Sequence, residues 1–531
     1  LKSDITISSF GKSAFYVGIM LIAASMPLSK FGMSMGQFFM AGGWLLSGDF
    51  EGKKKRFSEN KVVFWALAGL FFIHLIGLWN TSDFKYAWSD IRIKLPLLLM
   101  PLFFLTMPTL TVTQYRNVLR VVMSAVLVST LISLGIYLGF SKRVVHDIRD
   151  ISPFISHIRL ALLVCTSMAI AIYFLLKSSS IPFKIALIAM IIWFFYFLVL
   201  IESITGLLII AGAIFILLVV QLFSKKSNVL LKGAFMLSIL ATFFVSFQLY
   251  DFLFVESIKP IDYEKVKLYQ ITAAGNNYNQ YKERQDLEND HPVWINVCEF
   301  ELDGAWKSRS GTSVYDRNSS GYQHLYPLVR FLASKGWNKD AAAVMKLSDE
   351  EVQAIKSGVA NVNRLNHQGG IKQRLDDLAW EYRSYYYNGN ATGQSFTQRL
   401  EFWKTAAFIF SKQPFTGVGT GDVNEAFKSA YNELNSKLDE KWRLRSHNQY
   451  LSFAVAFGVF GMFYLIFALF YPFLAQKLWR NYLYSAFLFI AVFSMLSEDT
   501  LETQAGVTFF AFLNCFLLRN SASESVEEVK S

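Results

Sequence analysis

A histidine stands where polar residues give way to a helix-length apolar run in "RSHNQYLSFAVAFGVFG", residues 445–461. An imidazole changes charge near neutral pH, so His447 has the chemistry to hold or move a proton; alone at an interface it is most simply a hydrogen-bonded surface group. Basic residues crowd other polar stretches: Arg92 and Lys94 in "WSDIRIKLP", and Lys142, Arg143, Arg149 and Arg159 in and beside "SKRVVHDIRDISPFISHIRL", which also holds His157. They could bind an anionic partner, pair with Asp147 and Asp150, or extend to lipid headgroups. Late in the chain, Glu498, Asp499 and Glu502 in "SEDTLETQAG" could orient a bound group, accept a proton or pair with arginines.

Composition shows what must position these groups. Hydrophobic residues make up 53% of 531, with 50 Phe, so the fold class expected is an all-α polytopic membrane protein. Apolar runs able to cross roughly 30 Å of hydrocarbon fall at about 13–29, 31–47, 61–80, 95–112, 121–140, 159–176, 183–201, 205–223, 233–252, 449–471, 483–496 and 504–518, about twelve helices. The seventh and eighth are separated only near Glu202 and Ser203, which predicts a tight hairpin, and the first pair also turns tightly. No A-x-A-like cleavage site follows the first run, so it is expected to persist as a helix. Cys165 and Cys515 lie in apolar runs and Cys298 in a polar region, which makes neither a disulfide framework nor a cysteine metal site.

The net charge of +11 reads as membrane topology, not nucleic-acid binding, because Lys and Arg gather in alternate loops. Those loops hold Lys53, Lys54, Lys55 and Arg56; Arg116 and Arg120; Lys177 and Lys184; Lys225 and Lys226; and Lys477 and Arg480. The positive-inside rule puts them and both termini in the cytoplasm. The chain then divides into a membrane region of about nine helices at 1–252, a large outer domain at 253–446, about three more membrane helices at 447–518 and a cytoplasmic tail at 519–531. Arg92, Lys94, Arg143 and Arg159 fall on the outer side, against the charge rule.

The outer domain is expected to be mostly helical. In "LSDEEVQAIKSG", Ser348 precedes Glu351 by three residues, a capping box, and Gly358 is a helix stop. "FTQRLEFWKTAAFIF" sets Leu400, Trp403, Ala407 and Phe408 among charges, as in an amphipathic helix on or near the membrane. "QPFTGVGTGDV" is a loop able to approach a ligand closely, though it lacks the GK[ST] ending of a phosphate loop. Trp294, Trp306, Trp337 and Trp380, with the tyrosines of "WEYRSYYYNGN", present faces that suit sugar rings and, more commonly, core packing.

From His447 the chain reads His, Asn, nine residues, Gly458, two residues, Gly461. On a continuous helix Gly458 comes about three turns after His447 on nearly the same face, open to a close neighbour. This pattern resembles the signature of the bacterial O-antigen ligase and polymerase superfamily. "RLEFWKTAAFIFSKQPFTGVGTGDV" is similar to the family's preceding stretch, and "SEDTLETQAGVTFFAF" to the closing hairpin of Bacteroidetes-like members. The resemblance covers 395–518 well and 85–223 loosely; many relatives carry a basic residue where this chain reads Glu202-Ser203-Ile204-Thr205-Gly206.

The resemblance implies a GT-C-like membrane glycosyltransferase that moves a glycan from undecaprenyl diphosphate to an acceptor hydroxyl at the periplasmic face of the bacterial inner membrane. An O-antigen ligase acting on lipid A core is the first expectation; the large outer domain suits a bulky acceptor, which favours a ligase or protein glycosylation over polymerisation. A polymerase or a protein O-oligosaccharyltransferase is the alternative within the same superfamily. In that chemistry His447 is the general base, with Asn448 orienting it or a sugar. Arg92, Arg143, Arg159 and Arg399 bind the donor diphosphate through guanidinium forks, ahead of Lys94, which lacks the fork. His157, Lys94, Glu498, Asp499 and Glu502 support the site or the acceptor. A protonated His447 that binds diphosphate is the competing role, and a pH profile of turnover separates the two.

No H-E-x-x-H, no Trp-Trp-Asp and no ligand cluster at metal spacing occurs, so neither metal nor other cofactor is expected. The expected partners are the lipid-linked glycan, lipid A core or a protein acceptor, and membrane lipids, without nucleic acid. A polysaccharide transporter or flippase also accommodates about twelve helices. Against it stand the large outer domain, polar residues gathered at one face and no evident repeat of one membrane half in the other. A scaffold for glycan assembly would tolerate His447→Ala.

Overall fold

The structure is a computed structural model that describes residues 2–141, 143, 148–222, 229–318, 321–365, 370–389 and 391–530. Lys142, Asp147, Lys225 and Lys226 lie outside the described residues. Among those described, helices dominate, and the one sheet pairs Leu287–Glu288 with His291–Pro292. Among the described residues, six segments are long and apolar enough to cross a membrane by length and composition: Phe50–Asn80, Val112–Tyr137, His157–Lys177, Ile181–Leu200, Lys232–Glu256 and Gln449–Ala475. Some other apolar helices are shorter. Pro96–Thr106 has 11 residues, because Pro96 opens it and extended Met107 closes it. Tyr482–Ser494 has 13.

Local chemistry sets the turns. Ile181–Leu200 and Ile204–Leu222 form the expected tight hairpin, with Glu202 at a φ of 50° and Ser203 Oγ accepting the Gly206 N–H at 3.2 Å. Lys2–Ser25 and Lys30–Leu46 also form a close hairpin: a Cβ added at Gly11 would lie 2.2 Å from the Ser47 nitrogen, and one at Gly43 2.4 Å from that of Phe15. Such small-residue seams let helix backbones meet where no hydrophobic force between helices is available. The three cysteines are free and buried.

The chain divides into two compact units, 1–239 with 399–436 and 443–531, and 240–398 with 437–442. The second has its own core, which includes Val297, Leu302, Trp306, Leu328, Phe331 and Val344. Trp294 is buried in the same cluster and Trp337 packs against it. The capping box is present on Asp349–Ser357, which ends at Gly358 with a φ of 103°.

The Ser395–Lys412 helix buries Phe402, Thr405, Ala406 and Ile409, leaving Ala407 exposed and Leu400 and Trp403 half-buried. The inward face is therefore one residue round from the expected stripe. Thr405 can sit on it because its hydroxyl donates to the Glu401 carbonyl at 2.8 Å, one turn back.

Candidate functional site

The turn before the Gln449–Ala475 helix is built from its own polar residues. Asn448 is the N-cap: Oδ1 accepts the Leu451 N–H at 3.1 Å, and Nδ2 donates to the Leu496 carbonyl at 2.9 Å. With both ends of its side chain on backbone, Asn448 fixes the helix start and so the residue before it. His447 has a φ of 46°, a left-handed conformation uncommon outside glycine. Its N–H donates to Asp499 Oδ2 at 3.1 Å, while Asp499 Oδ1 accepts from Ser452 at 2.8 Å. The Ser446 and Ser452 hydroxyls are 2.8 Å apart, completing a buried knot around the histidine's backbone.

Further candidate groups gather at the same 497–499 loop. Arg399 Nη2 lies 3.1 Å from Glu498 Oε1, and its Nε donates to the Ser497 carbonyl at 3.3 Å. The Phe402 ring is 5.6 Å from that of His447, tilted by 32°. Arg159, Glu498 and Asp499 line one small cavity of about 20 Å³, whose remaining wall is largely apolar and includes Met26, Leu162, Leu163 and Phe509. Among the described residues Arg159 makes no ion pair within 4 Å. Burial raises the Glu498 carboxyl above the usual range, against the opposing pull of Arg399 and His447. It takes up a proton more readily than an exposed glutamate would.

Lys94 and Glu502 belong to a second, deeper cluster. Lys94 is fully enclosed, with Nζ 2.7 Å from Glu502 Oε2 and 3.3 Å from Asp90 Oδ1. Arg445 Nη2 lies 3.3 Å from the same Glu502 oxygen, and Nη1 donates to the Tyr86 hydroxyl at 2.8 Å. Gln449 donates to Glu502 Oε1 at 3.0 Å and accepts the Leu501 N–H at 2.6 Å, while His74 Nε2 stands 4.0 Å from Asp90 Oδ2. Burial opposes the charge on Glu502, but Lys94 and Arg445 outweigh it and hold the carboxyl well below its usual range. Burial likewise opposes the Lys94 ammonium, and Glu502 and Asp90 carry it above its ordinary value.

Arg445, Asp90, His74 and Gln449 were not candidates from sequence. Asp90 carried a signal in its i, i+4 spacing to Lys94 on one helix, and Arg445 in standing two residues before His447. Of the sequence candidates, Arg159, Glu498 and Asp499 line the small cavity and the others do not. Arg92 is exposed on the Phe84–Lys94 helix, Arg143 is exposed with its N–H on Ser141 Oγ at 3.2 Å, and His157 is half-buried at the start of His157–Lys177.

The glycine-rich loop also departs from expectation, since it docks into a break in the Gln449–Ala475 helix. Gly458 has φ 66° and ψ −163°, a region essentially restricted to glycine, so the continuous helix face assumed from spacing does not exist there. The Val455 and Ala456 carbonyls accept the Val418 and Gly419 N–H groups at 2.9 Å, and the Val459 N–H donates to the Pro414 carbonyl at 2.7 Å. Non-helical backbone inside an apolar segment survives only when its polar groups are satisfied in this way. An added Cβ at Gly458 would lie 2.2 Å from the Phe415 carbonyl oxygen. Gly458→Ala is expected to lower stability by about 1–3 kcal/mol from backbone strain alone; thermal unfolding in detergent checks this, and an unchanged midpoint contradicts it.

Residues 349–466 match a family model described as O-antigen ligase. The matched stretch contains Arg399, the 414–422 loop, His447 and Gly458. No curated protein matches the chain.

Proposed function

We propose, on the premise that the chain belongs to the O-antigen ligase superfamily as its matched region supports, that it is a membrane glycosyltransferase moving a glycan from undecaprenyl diphosphate to an acceptor hydroxyl. The observation that carries this reading is the gathering of His447, Arg399, Arg159 and two carboxylates around the 497–499 loop. In the proposed step the acceptor oxygen bonds to the anomeric carbon while His447 takes the hydroxyl proton. The bond from that carbon to the diphosphate oxygen breaks, and the lipid diphosphate departs with the electron pair.

A diphosphate is a stable anion, so the site must stabilise charge more than supply a proton, which guanidinium groups do well where water is partly excluded. Arg159 is the proposed first diphosphate ligand, because its apolar cavity wall suits a polyprenyl chain. Arg399 is the second, exchanging part of its Glu498 contact for phosphate. Exposed Arg92 and Arg143 are assigned to steering the anionic donor. Asn448 and Asp499 position His447, and Lys94 with Glu502 supports the turn from beneath.

The reading places the chain in the bacterial inner membrane, with cytoplasmic termini, a periplasmic site, the shorter apolar helices completing the membrane region and no required metal. An O-antigen ligase acting on lipid A core is the proposed identity. A polymerase or a protein O-oligosaccharyltransferase would use the same chemistry on another acceptor.

Purified protein in nanodiscs, given lipid-linked glycan and acceptor, is expected to release undecaprenyl diphosphate in step with glycosylated acceptor, with or without EDTA. In proteoliposomes, glycan crossing the bilayer without diphosphate release would instead make it a transporter. In the nanodisc assay Arg159→Ala is expected to lower kcat/KM for the donor roughly tenfold to a hundredfold, the worth of a hydrogen bond to a charged group. Arg159→Lys should recover only part, restoring charge without the fork. Equal activity of all three proteins would remove Arg159 from the donor site.

A further inference from the structure

The second unit contains a cleft that the transfer step does not use. It holds about 730 Å³, at the upper part of the roughly 300–1,000 Å³ range of a usual small-molecule pocket. One lip is the turn between Leu287–Glu288 and His291–Pro292, where Asn289 and Asp290 take φ values of 46° and 65°. Two successive left-handed residues make the tight hairpin that Asn and Asp favour, and this turn brings both side chains to the cleft wall. Asn289 Oδ1 accepts from Asn361 at 3.1 Å and from Asn363 at 3.4 Å, so a row of amides is fixed before any ligand arrives.

The opposite wall is the Gly370–Asn388 helix, which supplies Asp376, Trp380 and Arg383. The Arg330 guanidinium lies 3.5 Å from the Trp380 ring centre, holding the indole in place. Arg383 is buried and anchored to the Ser257 and Lys259 carbonyls at 2.6 and 2.7 Å, and its Nη2 has no hydrogen-bond partner among the described residues. Asp290 and Asp376 form no ion pair within 4 Å among the described residues, so their carboxylates remain available as acceptors.

These walls discriminate between ligand classes. A cationic peptide would need acceptors alone, whereas this cleft alternates carboxylate acceptors with amides that both donate and accept. A polyanion would meet the carboxylates of Glu256, Asp290, Asp376 and Asp377. Vicinal sugar hydroxyls, each donor and acceptor at once, match a mixed wall, and the electron-rich face of an indole suits the C–H face of a sugar ring. The cleft also includes Phe252 and Glu256, at the end of the apolar Lys232–Glu256 segment, a position suited to a chain tethered to lipid.

We propose that this cleft binds an oligosaccharide, uncharged or bearing amino groups, through Asn289, Asn363, Asp376 and Trp380. The assignment rests on the glycosyltransferase reading above for the ligand's origin, and the glycan is that of either the donor or the acceptor. Full-length protein in nanodiscs is titrated by saturation-transfer NMR with two probes: the lipid-free oligosaccharide released from the lipid-linked donor, and the core oligosaccharide released from the acceptor. At least one is expected to bind, and the probe that binds identifies which side of the reaction the cleft serves.

Asn363→Ala and Asp376→Asn, both leaving the Arg330–Trp380 pair intact, are each expected to weaken binding about tenfold at an unchanged melting temperature. Binding of neither probe to the wild type, or unaltered binding in both variants, overturns the proposal. His447→Asn separates the two readings. It is expected to keep the glycan-binding signal while losing transfer, so wild-type transfer by this variant would sink the catalytic assignment without touching the cleft.

Discussion

Replacing His447 with asparagine is expected to lower glycan transfer by about 10²–10⁴-fold, the usual contribution of a positioned general base. Asparagine is preferable to alanine because position 447 has a φ of 46°, which asparagine tolerates better than most residues. The turn should survive, since its bonds run from the His447 backbone N–H to Asp499 and from the Asn448 side chain to backbone. An unchanged melting temperature with lost turnover is therefore the expected pair of results. The pH profile then assigns the role. A base loses activity on acidification, as the imidazole is protonated; a cation that holds diphosphate loses it on alkalinisation. Full transfer by His447→Asn would leave Glu498, whose largely buried carboxyl is shifted toward the protonated form, as an alternative proton acceptor at the same loop.

The second large effect is on stability. Glu502→Ala leaves fully enclosed Lys94 with Asp90 as its ion-pair partner at 3.3 Å and takes from Arg445 the carboxylate 3.3 Å away. Removing one member of a buried ion pair costs about 3–5 kcal/mol, because the charge left behind remains desolvated. The double variant Lys94→Met/Glu502→Gln is expected to lose less than the two single changes added together, since it removes charges of both signs. Thermal unfolding of the four proteins measures the coupling, and strict additivity would contradict the network.

The sign of the pH dependence follows from the depressed Glu502 carboxyl. Its stabilisation is present above the ordinary glutamate pKa, about 4.3, and is lost as pH falls toward the lower folded-state value. The wild type should therefore lose stability on acidification below about pH 4 more steeply than Glu502→Gln. Parallel curves would show that the carboxylate contributes little.

Much of the helical layout was legible because it depends on local sequence. A charged interruption at Glu202 in an otherwise continuous apolar run leaves the chain little choice but to turn, and the Ser348–Glu351 box caps a helix with groups three residues apart. Histidine and acids at the site were legible as residue types. Their partners were not: Lys94 meets Glu502 across some 400 positions, and nothing local to either residue names the other.

Gly458 misled for a related reason. Helical spacing predicts a continuous face through a residue whose conformation is not helical, and the cause of the break, a loop with Val418 and Gly419 N–H groups aimed at freed carbonyls, comes from 40 residues earlier in the chain. The buried face of Ser395–Lys412 was misread because Thr405, polar by type, satisfies its hydroxyl within its own helix and goes inside. The role of Asn448 was likewise hidden. Its type suits a sugar contact, but helix capping and the Leu496 carbonyl take both ends of its side chain.

The most direct test is a cryo-electron microscopy structure of His447→Asn in nanodiscs with a lipid-linked glycan donor. The expected result is diphosphate density within hydrogen-bond reach of the Arg159 guanidinium, beside Glu498 and Asp499, with the anomeric carbon facing residue 447. Diphosphate bound elsewhere, with the Arg159 cavity occupied by lipid chain alone and the sugar remote from residue 447, would contradict the proposed chemistry.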